Sequence, residues 1–384
     1  MNNNFFTLNG KKYVILFDNV RVTILRKEND KLVLLNEEEK KEIISILNNK
    51  SGYRYDSEKI MQIINSNNTL DNKGYLSNFL QWLENIIPLE CRENFYNNIK
   101  TLKTDLNLDI NFSESISETK NDYQENCEYN GKENTIIMTK NFMLQTGKIA
   151  QSTKKPADFF WKSYSKTLLH ELAHMSSSHY DVKTGILLCG FDKFPSEKEI
   201  DKNRGLTEGF TEIISMAGVP GTIEIASSYY IEASLINQLI QIIGVDVFIK
   251  SYFSNLGTKF LESKLCNIIA DPKLAFQLFR NIEINFQIRN LKGKQSLLGN
   301  IQLLLLDYLE KRCEKLIENN KLREVNEILK IYEQMLITPE KLKIMDKNPD
   351  DYEGLVESIT KFKNLQEKLS PKLVNIEAQD SVRK

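Results

Sequence analysis

The stretch DFFWKSYSKTLLHELAHMSSSHYD, residues 158–181, contains all three histidines of this 384-residue chain. His170 and His174 stand four positions apart in an HExxH pattern. Residues at this spacing lie on one face of a helix, one turn above the other, so both imidazoles can bind the same metal ion. Glu171 lies beside them and can reach a water on that metal without being a ligand. The stretch therefore predicts a helix that carries a metal site.

The segment around this motif indicates a helix from about residue 156 to 178. After Pro156 it contains neither glycine nor proline. Its side chains divide into two faces, as expected of a helix that is buried on one side and faces a cleft on the other. The apolar face comprises Trp161, Leu168, Leu172 and Met175, and the more polar face comprises Ser163, Thr167, His170 and His174.

A second helix is predicted for GLTEGFTEIISMAG, residues 205–218, where Glu208 and Glu212 are four apart and share a face. Catalytic zinc takes three protein ligands and leaves a fourth position for water, a set that His170, His174 and Glu208 would supply. Glu212, one turn further on, would accept a hydrogen bond from a ligand imidazole and fix its tautomer. The alternative is that these four residues are solvated side chains on two ordinary helices.

HELAH followed about 30 residues later by LTEGFTE resembles the gluzincin metallopeptidases, the group that includes thermolysin and the aminopeptidase N family. The resemblance implies a zincin-like fold and one Zn²⁺ per chain, bound by His170, His174 and Glu208, with Glu171 as general base. LTEGFTE is similar to the LNEGF segment of the aminopeptidase N family. Glu212 matches the acidic residue that thermolysin-like enzymes carry four positions after the ligand glutamate. The likeness covers about 50 of the 384 residues, and the flanking regions match neither family.

One departure from the aminopeptidase N family concerns substrate binding. The GxMEN motif that binds the substrate amine in that family is absent. NTIIMTK, residues 134–140, occupies the place before the metal helix where zincins keep an edge strand that pairs with the substrate backbone. We therefore expect an endopeptidase in which Ile136, Ile137 and Met138 lie along the substrate.

Gluzincins place a tyrosine or histidine to stabilise the oxyanion, and here a tyrosine is expected. Tyr229 and Tyr230 are the first candidates, ahead of Tyr252 and Tyr180, although each could equally be a core tyrosine with a satisfied hydroxyl. The third histidine, His179, does not fit the metzincin spacing, which would place a ligand at the next residue. We expect His179 to be a structural or substrate-side residue.

The predicted fold class is α+β and mostly helical. Residues 1–88 form a small N-terminal α+β unit that begins with a meander of strands. Residues 89–260 form the zincin-like catalytic domain, and residues 261–384 are helical almost throughout and predict a C-terminal helical bundle. No repeat of fixed period is found.

Composition narrows the classes of function. The net charge of −1 gives no support to nucleic acid or an anionic membrane as a partner. The N-terminus lacks the pattern of a signal peptide, and no stretch is apolar for long enough to span a bilayer. The five cysteines are scattered without a CxxC, which favours free thiols in a reducing compartment. We expect a cytoplasmic protein, with leaderless export as an effector left open.

Three alternatives compete with a zinc-dependent peptidase that acts on a peptide or protein substrate. Peptide deformylase also uses HExxH, but it needs a cysteine ligand upstream, and Cys127 lacks the right surroundings. A catalytically silent or partner-triggered zincin-fold protein could bind a regulatory partner through its C-terminal helical domain, although such a protein has no need of Glu171. A purely helical scaffold would require both motifs to be accidental.

Overall fold

The computed structural model describes residues 6–8, 11–18, 21–28, 31–34, 75–106, 127–138, 156–195, 202–217, 229–292, 297–344 and 352–382. Within these ranges the protein is mostly helical, with three small sheets. The predicted class, α+β with helix predominating, is thereby confirmed. The boundaries predicted at residues 88 and 260 stay predictions.

The N-terminal strands form a four-stranded antiparallel meander. These strands are β1 (Phe6–Leu8), β2 (Lys11–Asp18), β3 (Arg21–Glu28) and β4 (Lys31–Leu34). Pairing of Ile15 with Ile24 sets the register of the central pair. Segments rich in β-branched and aromatic residues favour such strands, and the meander was predicted from that composition and from the turn residues between the segments. Any helix between this sheet and residue 75 lies outside the described residues.

A mixed three-stranded sheet precedes the metal helix. After α1 (Tyr75–Ile86), a 3₁₀ turn (Leu89–Cys91) and α2 (Arg92–Thr101) come β5 (Lys103–Leu106), β6 (Cys127–Asn130) and β7 (Thr135–Met138). The strand order is β5-β7-β6, with β7 parallel to β5 and antiparallel to β6.

This order corrects one sequence-based expectation. Ile136, Ile137 and Met138 were expected on an edge strand, but they lie on β7, the central strand of the sheet. The backbone groups of β7 are shared between two neighbouring strands, so they do not form a free edge for a substrate. Of the two outer strands, β5 and β6, it is β6 that contacts the helix at residues 156–177. The central position of β7 depends on its pairing with the distant β5, and local pattern does not encode that.

The two motif segments form helices close to the predicted bounds. These are α3 (Pro156–Ser177) and α4 (Arg204–Ala217). Between them lies a three-stranded antiparallel sheet of β8 (Ser178–Asp181), β9 (Ile186–Cys189) and β10 (Asp192–Phe194). Leu168, Leu172 and Met175 are buried as predicted, whereas the side chains of Trp161 and Ser163 lie outside the described set.

Helix α2 holds the C-terminal end of α3 in place. The last carbonyls of a helix have no partner within it, so another group must satisfy them. The amide of Asn98 donates to the carbonyl of Met175 over 2.9 Å and to that of Ser178 over 2.7 Å. Asn94 also donates to the carbonyl of Ser178 over 2.7 Å. The position of the helix that carries both histidines is therefore defined by a neighbour from another part of the chain.

The remaining described elements are helices. They are α5 (Tyr230–Ile243), α6 (Val245–Phe253), α7 (Lys259–Cys266), α8 (Pro272–Lys292), α9 (Leu298–Glu318), α10 (Leu322–Met335), α11 (Pro339–Ile344) and α12 (Tyr352–Val382). One continuous cluster of buried apolar side chains extends from Phe79 in α1 to Leu369 in α12. The metal helix and the C-terminal helices therefore share a core.

Within the described ranges, no helix taken alone has the length and apolarity needed to cross a membrane. Helices α5 and α6 meet that criterion only as a pair, and they are bent by 114°. The four cysteines whose side chains are described, Cys91, Cys189, Cys266 and Cys313, are free thiols, as expected.

Candidate metal centre

Three side chains from α3 and α4 converge on one point. Nε2 of His170 lies 3.1 Å from Nε2 of His174 and 3.0 Å from Oε2 of Glu208. Nε2 of His174 lies 3.5 Å from the same carboxylate oxygen. Both histidines are buried, and Glu208 is 19% exposed. The structure therefore brings together the three ligands that the sequence predicted.

The spacing of these donors fits a small tetrahedral cation. Zinc bonds to nitrogen and oxygen at about 2.0–2.1 Å, so two ligands at a tetrahedral angle are about 3.3 Å apart. The three separations here, 3.0, 3.1 and 3.5 Å, lie around that value. Within the described part of the chain this is the one group of three or more metal-binding side chains that meets.

Glu212 orients the imidazole of His170. Nδ1 of His170 donates to Oε2 of Glu212 over 3.2 Å, which leaves Nε2 to face the metal. The other oxygen of Glu212 lies 2.8 Å from Nζ of Lys166, one turn before His170 on α3. Glu212 is 2% exposed, so Lys166 provides the countercharge that a buried carboxylate requires. The role of Glu212 was predicted from its spacing, but that of Lys166 was not.

His174 has weaker and neutral neighbours at the corresponding nitrogen. Its Nδ1 lies 3.5 Å from the hydroxyl of Thr211 and 3.6 Å from Sγ of Cys189. Thr211 in turn shares a 2.7 Å hydrogen bond with the hydroxyl of Tyr252. Sequence analysis missed Thr211 and Cys189, and it considered Tyr252 only as a candidate for the oxyanion. Thr211 lies on the motif helix, but Cys189 and Tyr252 reach the site only through the tertiary fold.

The charges of the centre are interdependent. Burial alone lowers the pKa of a histidine, but hydrogen bonds to Glu208 and Glu212 outweigh it and raise the pKa of His170 to about 9. The charge of Glu208 likewise raises the pKa of His174 despite burial. Burial also favours the neutral form of Glu208, but the charge of His174 lowers its pKa. The carboxylates therefore favour protonation of the imidazoles in the absence of metal, and a bound cation would compete with those protons.

Glu171 lies beside the ligands and does not belong to the converging set. It is 7% exposed, and burial raises the pKa of its carboxyl group against the opposing charges of His170 and His174. The backbone amide of Tyr129 donates a hydrogen bond to this carboxylate. Since Tyr129 is on β6, the outer strand of the mixed sheet is anchored directly at the metal site.

The four candidate tyrosines lie in different environments. The ring of Tyr229 stacks on His170, with centroids 5.3 Å apart and planes 17° from parallel, and it also contacts Phe286. Tyr230 is 4% exposed and belongs to the main apolar cluster, so its catalytic role stays a prediction. Tyr252 is fully buried, and Tyr180 is exposed on β8. Of the four tyrosines, Tyr229 has its ring against a metal ligand.

His179 is a structural residue. Its Nε2 donates to the carbonyl of Phe253 over 2.8 Å and thereby ties β8 to the end of α6. Burial lowers the pKa of this imidazole, which favours the neutral form. His179 was expected to be either structural or on the substrate side, and this contact supports the structural role.

The glycine that follows Glu208 in the motif, Gly209, is required by close packing of α4 against α5. A Cβ at this position would lie 2.8 Å from both the carbonyl carbon and the oxygen of Glu232 on α5. Only glycine lets α4 approach the backbone of α5 this closely. The close approach places Glu208 at the depth of the two histidines.

Comparison with protein-family models, curated proteins and solved structures finds no match for this chain. Function therefore has to be inferred from the residues and distances of the chain itself.

Proposed function

We propose that this protein is a zinc-dependent peptidase of the gluzincin type, acting as an endopeptidase on a peptide or protein substrate. The observation that carries the proposal is the convergence of His170, His174 and Glu208, with Glu171 buried beside them. Two histidines and one carboxylate form the ligand set of many catalytic zinc sites. A glutamate inside the HExxH pattern has a role in hydrolysis and none in metal binding.

The same ligand set occurs in non-haem iron oxygenases, which bind Fe²⁺ through two histidines and a carboxylate. One feature favours zinc hydrolysis. Both histidines come from a single helical turn with Glu171 between them. An oxygenase would leave this buried carboxylate without a function.

In the proposed reaction, bound zinc supplies Lewis acidity toward the substrate carbonyl and toward water. Glu171 accepts the proton of the attacking water and later passes it to the leaving amine. Burial raises the pKa of its carboxyl group, which strengthens Glu171 as a base toward that water. The amide of Tyr129 holds the carboxylate in place, and the hydroxyl of Tyr229 is the proposed donor to the developing oxyanion.

The proposal of an endopeptidase rests on β6. Among the described residues this strand is paired on one side only, with β7, and it lies against α3. An extended peptide can add to such an edge through backbone hydrogen bonds, which requires no free terminus. We therefore propose that residues 127–130 pair with the substrate backbone, a role that was first expected of residues 136–138.

The first experiment measures metal content by elemental analysis of the purified, tag-free chain. We expect about one zinc per chain in the wild type and far less in Glu208→Ala. Glu367→Ala, which removes an exposed glutamate on α12, is the matched control and keeps its zinc. An absence of zinc after reconstitution of the wild type would contradict the proposal and would favour a helical binding protein.

Turnover is tested with Glu171→Gln and a peptide library. We expect this variant to keep its zinc and to lose hydrolysis by about 10²–10⁴-fold, the usual contribution of a general base. A fully active Glu171→Gln protein would exclude Glu171 as the base. A zinc-loaded wild type that cleaves no peptide would favour the partner-triggered regulatory protein instead.

A further inference from the structure

One face of α4 extends from the interior of the centre to the solvent. Arg204, Glu208 and Glu212 are spaced four apart, so their side chains follow one another along that face. Their side chains are 45%, 19% and 2% exposed, respectively. Glu212 orients a ligand, and Glu208 is a ligand. Arg204 is the next position outward, about 6 Å along the helix axis from the metal ligand.

Arg204 is held in place by two contacts. Its Nε lies 3.4 Å from Oδ2 of Asp192, a carboxylate that is 7% exposed. Its guanidinium carbon lies 5.3 Å from the centroid of the Phe194 ring, and Nζ of Lys202 lies 5.4 Å from the same centroid. We call Lys202, Arg204 and Phe194 the basic platform. Two cations lie over this ring, and among the described residues Asp192 forms an ion pair with Arg204, whose charge also acts on the buried Glu283.

The platform differs in charge from the rest of the centre. Glu171, Glu208 and Glu212 surround the metal position. Lys166 and a bound cation would offset these charges, so preferential binding of an acidic group would depend on a further positive side chain, and Arg204 is suited to that function. Its guanidinium fork can bind a carboxylate through two hydrogen bonds, and its stacking and its ion pair hold it in position beforehand.

We infer that Arg204, assisted by Lys202, is a specificity-determining residue that binds a carboxylate of the peptide substrate near the scissile bond. The inference rests on the proposed peptidase function. One residue of an extended peptide spans about 3.3–3.6 Å, so a carboxylate about two residues from the scissile bond would reach Arg204. That carboxylate belongs either to an acidic side chain or to the C-terminus of the substrate.

The test begins with the zinc-loaded full-length chain and a mixed peptide library, supplied with free and with amidated C-termini. Cleavage sites are identified by mass spectrometry. We expect Asp and Glu to be enriched within two residues of the cleaved bond. Enrichment that survives amidation assigns the carboxylate to a side chain, and cleavage confined to the ends of unamidated peptides assigns it to the C-terminus. Cleavage without preference for a carboxylate overturns the inference and leaves the peptidase proposal intact.

Arg204→Met then tests the residue, with Arg323→Met as the matched control on an exposed face of α10. In the wild type and in the control, kcat/KM should be about tenfold higher for a cleaved acidic peptide than for its Asn or Gln counterpart. This ratio is expected of one charge-assisted pair. In Arg204→Met the two peptides should be cleaved equally. An unchanged preference in this variant would overturn the inference, and Lys202→Met should reduce the preference about threefold.

A binding measurement separates recognition from turnover. In zinc-loaded Glu171→Gln, the acidic peptide should bind about tenfold more tightly than its amide counterpart, and the difference should shrink as salt is raised. Zinc is measured in every variant, so a loss caused by misfolding is recognised. If the wild type cleaves no peptide, the peptidase proposal fails and this inference fails with it. Equal binding of the two peptides overturns the inference alone.

Discussion

The two histidines of the centre have different surroundings, although they lie one turn apart on the same helix. His170 donates to Glu212, a buried carboxylate that is paired with Lys166. His174 has only the hydroxyl of Thr211 and the thiol of Cys189 near its Nδ1, at 3.5 and 3.6 Å. Charge therefore orients the first imidazole, and packing positions the second. The His170 side should dominate metal affinity, and the His174 side should tolerate substitution.

The largest effect is expected from Glu212→Gln. Loss of the carboxylate removes the charge that holds His170 in its tautomer, and such partners are typically worth 10–100-fold in metal affinity. We expect a decrease toward the upper end of that range, because Glu212 is buried and the amide cannot replace its charge. Competition with a chromophoric chelator gives the affinity. If Glu212→Gln lost less metal affinity than Thr211→Val, the His174 side, and not the His170 side, would dominate metal binding.

A pH effect is expected in the metal-free protein. The pKa of His170 is about 9 in the fold and about 6.5 in the unfolded chain. Its contribution to stability is therefore fully present below pH 6.5 and is lost as the pH rises through 9, by about 3 kcal/mol. Chelator-treated protein should be less stable to urea at pH 9 than at pH 6.5. A flatter pH dependence is expected in Glu212→Gln, in which Glu208 alone still raises this pKa, and an equal one would assign the effect to another group.

Lys166→Met should have an intermediate effect. The aliphatic part of the side chain is kept, while Glu212 loses its 2.8 Å ion pair and retains only His170 as a partner. We expect metal affinity to fall by about tenfold, less than in Glu212→Gln, because the carboxylate is still present. Lys330→Met, at an exposed position of α10, is the matched control. An unchanged affinity would show that Glu212 needs no countercharge.

The smallest effect is expected on the His174 side. Thr211→Val keeps the shape of the side chain but removes the hydroxyl near Nδ1 and its bond to Tyr252. Metal affinity should fall by no more than about threefold, because a 3.5 Å contact to a neutral group contributes little. The free energy of unfolding should decrease by about 1 kcal/mol through the lost hydrogen bond to Tyr252. A tenfold loss of metal would show that His174 is oriented as strictly as His170.

The sequence predicted the parts of the centre that follow from helical periodicity. Spacing of four placed His170 and His174 on one face of α3, and the same spacing placed Glu208 and Glu212 on one face of α4. Segments rich in β-forming residues and bounded by turn residues also predicted the N-terminal strands, and helical spacing of apolar residues predicted the two motif helices near their observed bounds. These features are local, because a helix or strand positions its own side chains whatever it packs against.

Contacts between distant segments were predicted less well. A strand was predicted at residues 134–140, but β6, which pairs with that strand and contacts α3, was not predicted. The sequence ranked Tyr229 and Tyr230 together, although one stacks on His170 and the other packs in the core. Adjacent residues at a helix start point in different directions, and only the neighbouring helices decide which direction faces the site.

By itself, the sequence determined which residues can bind a metal together, because ligand chemistry and the helical repeat are properties of the residues and of the local backbone. Only the tertiary structure decided how the two histidines differ. Lys166, Cys189 and Tyr252 belong to no motif, and the motif that contains Thr211 gives that residue no role. These residues matter because α3, α4, α6 and β9 pack around a shared core. Packing of side chains from separate segments is cooperative, so its outcome is encoded by the whole chain and by no short pattern.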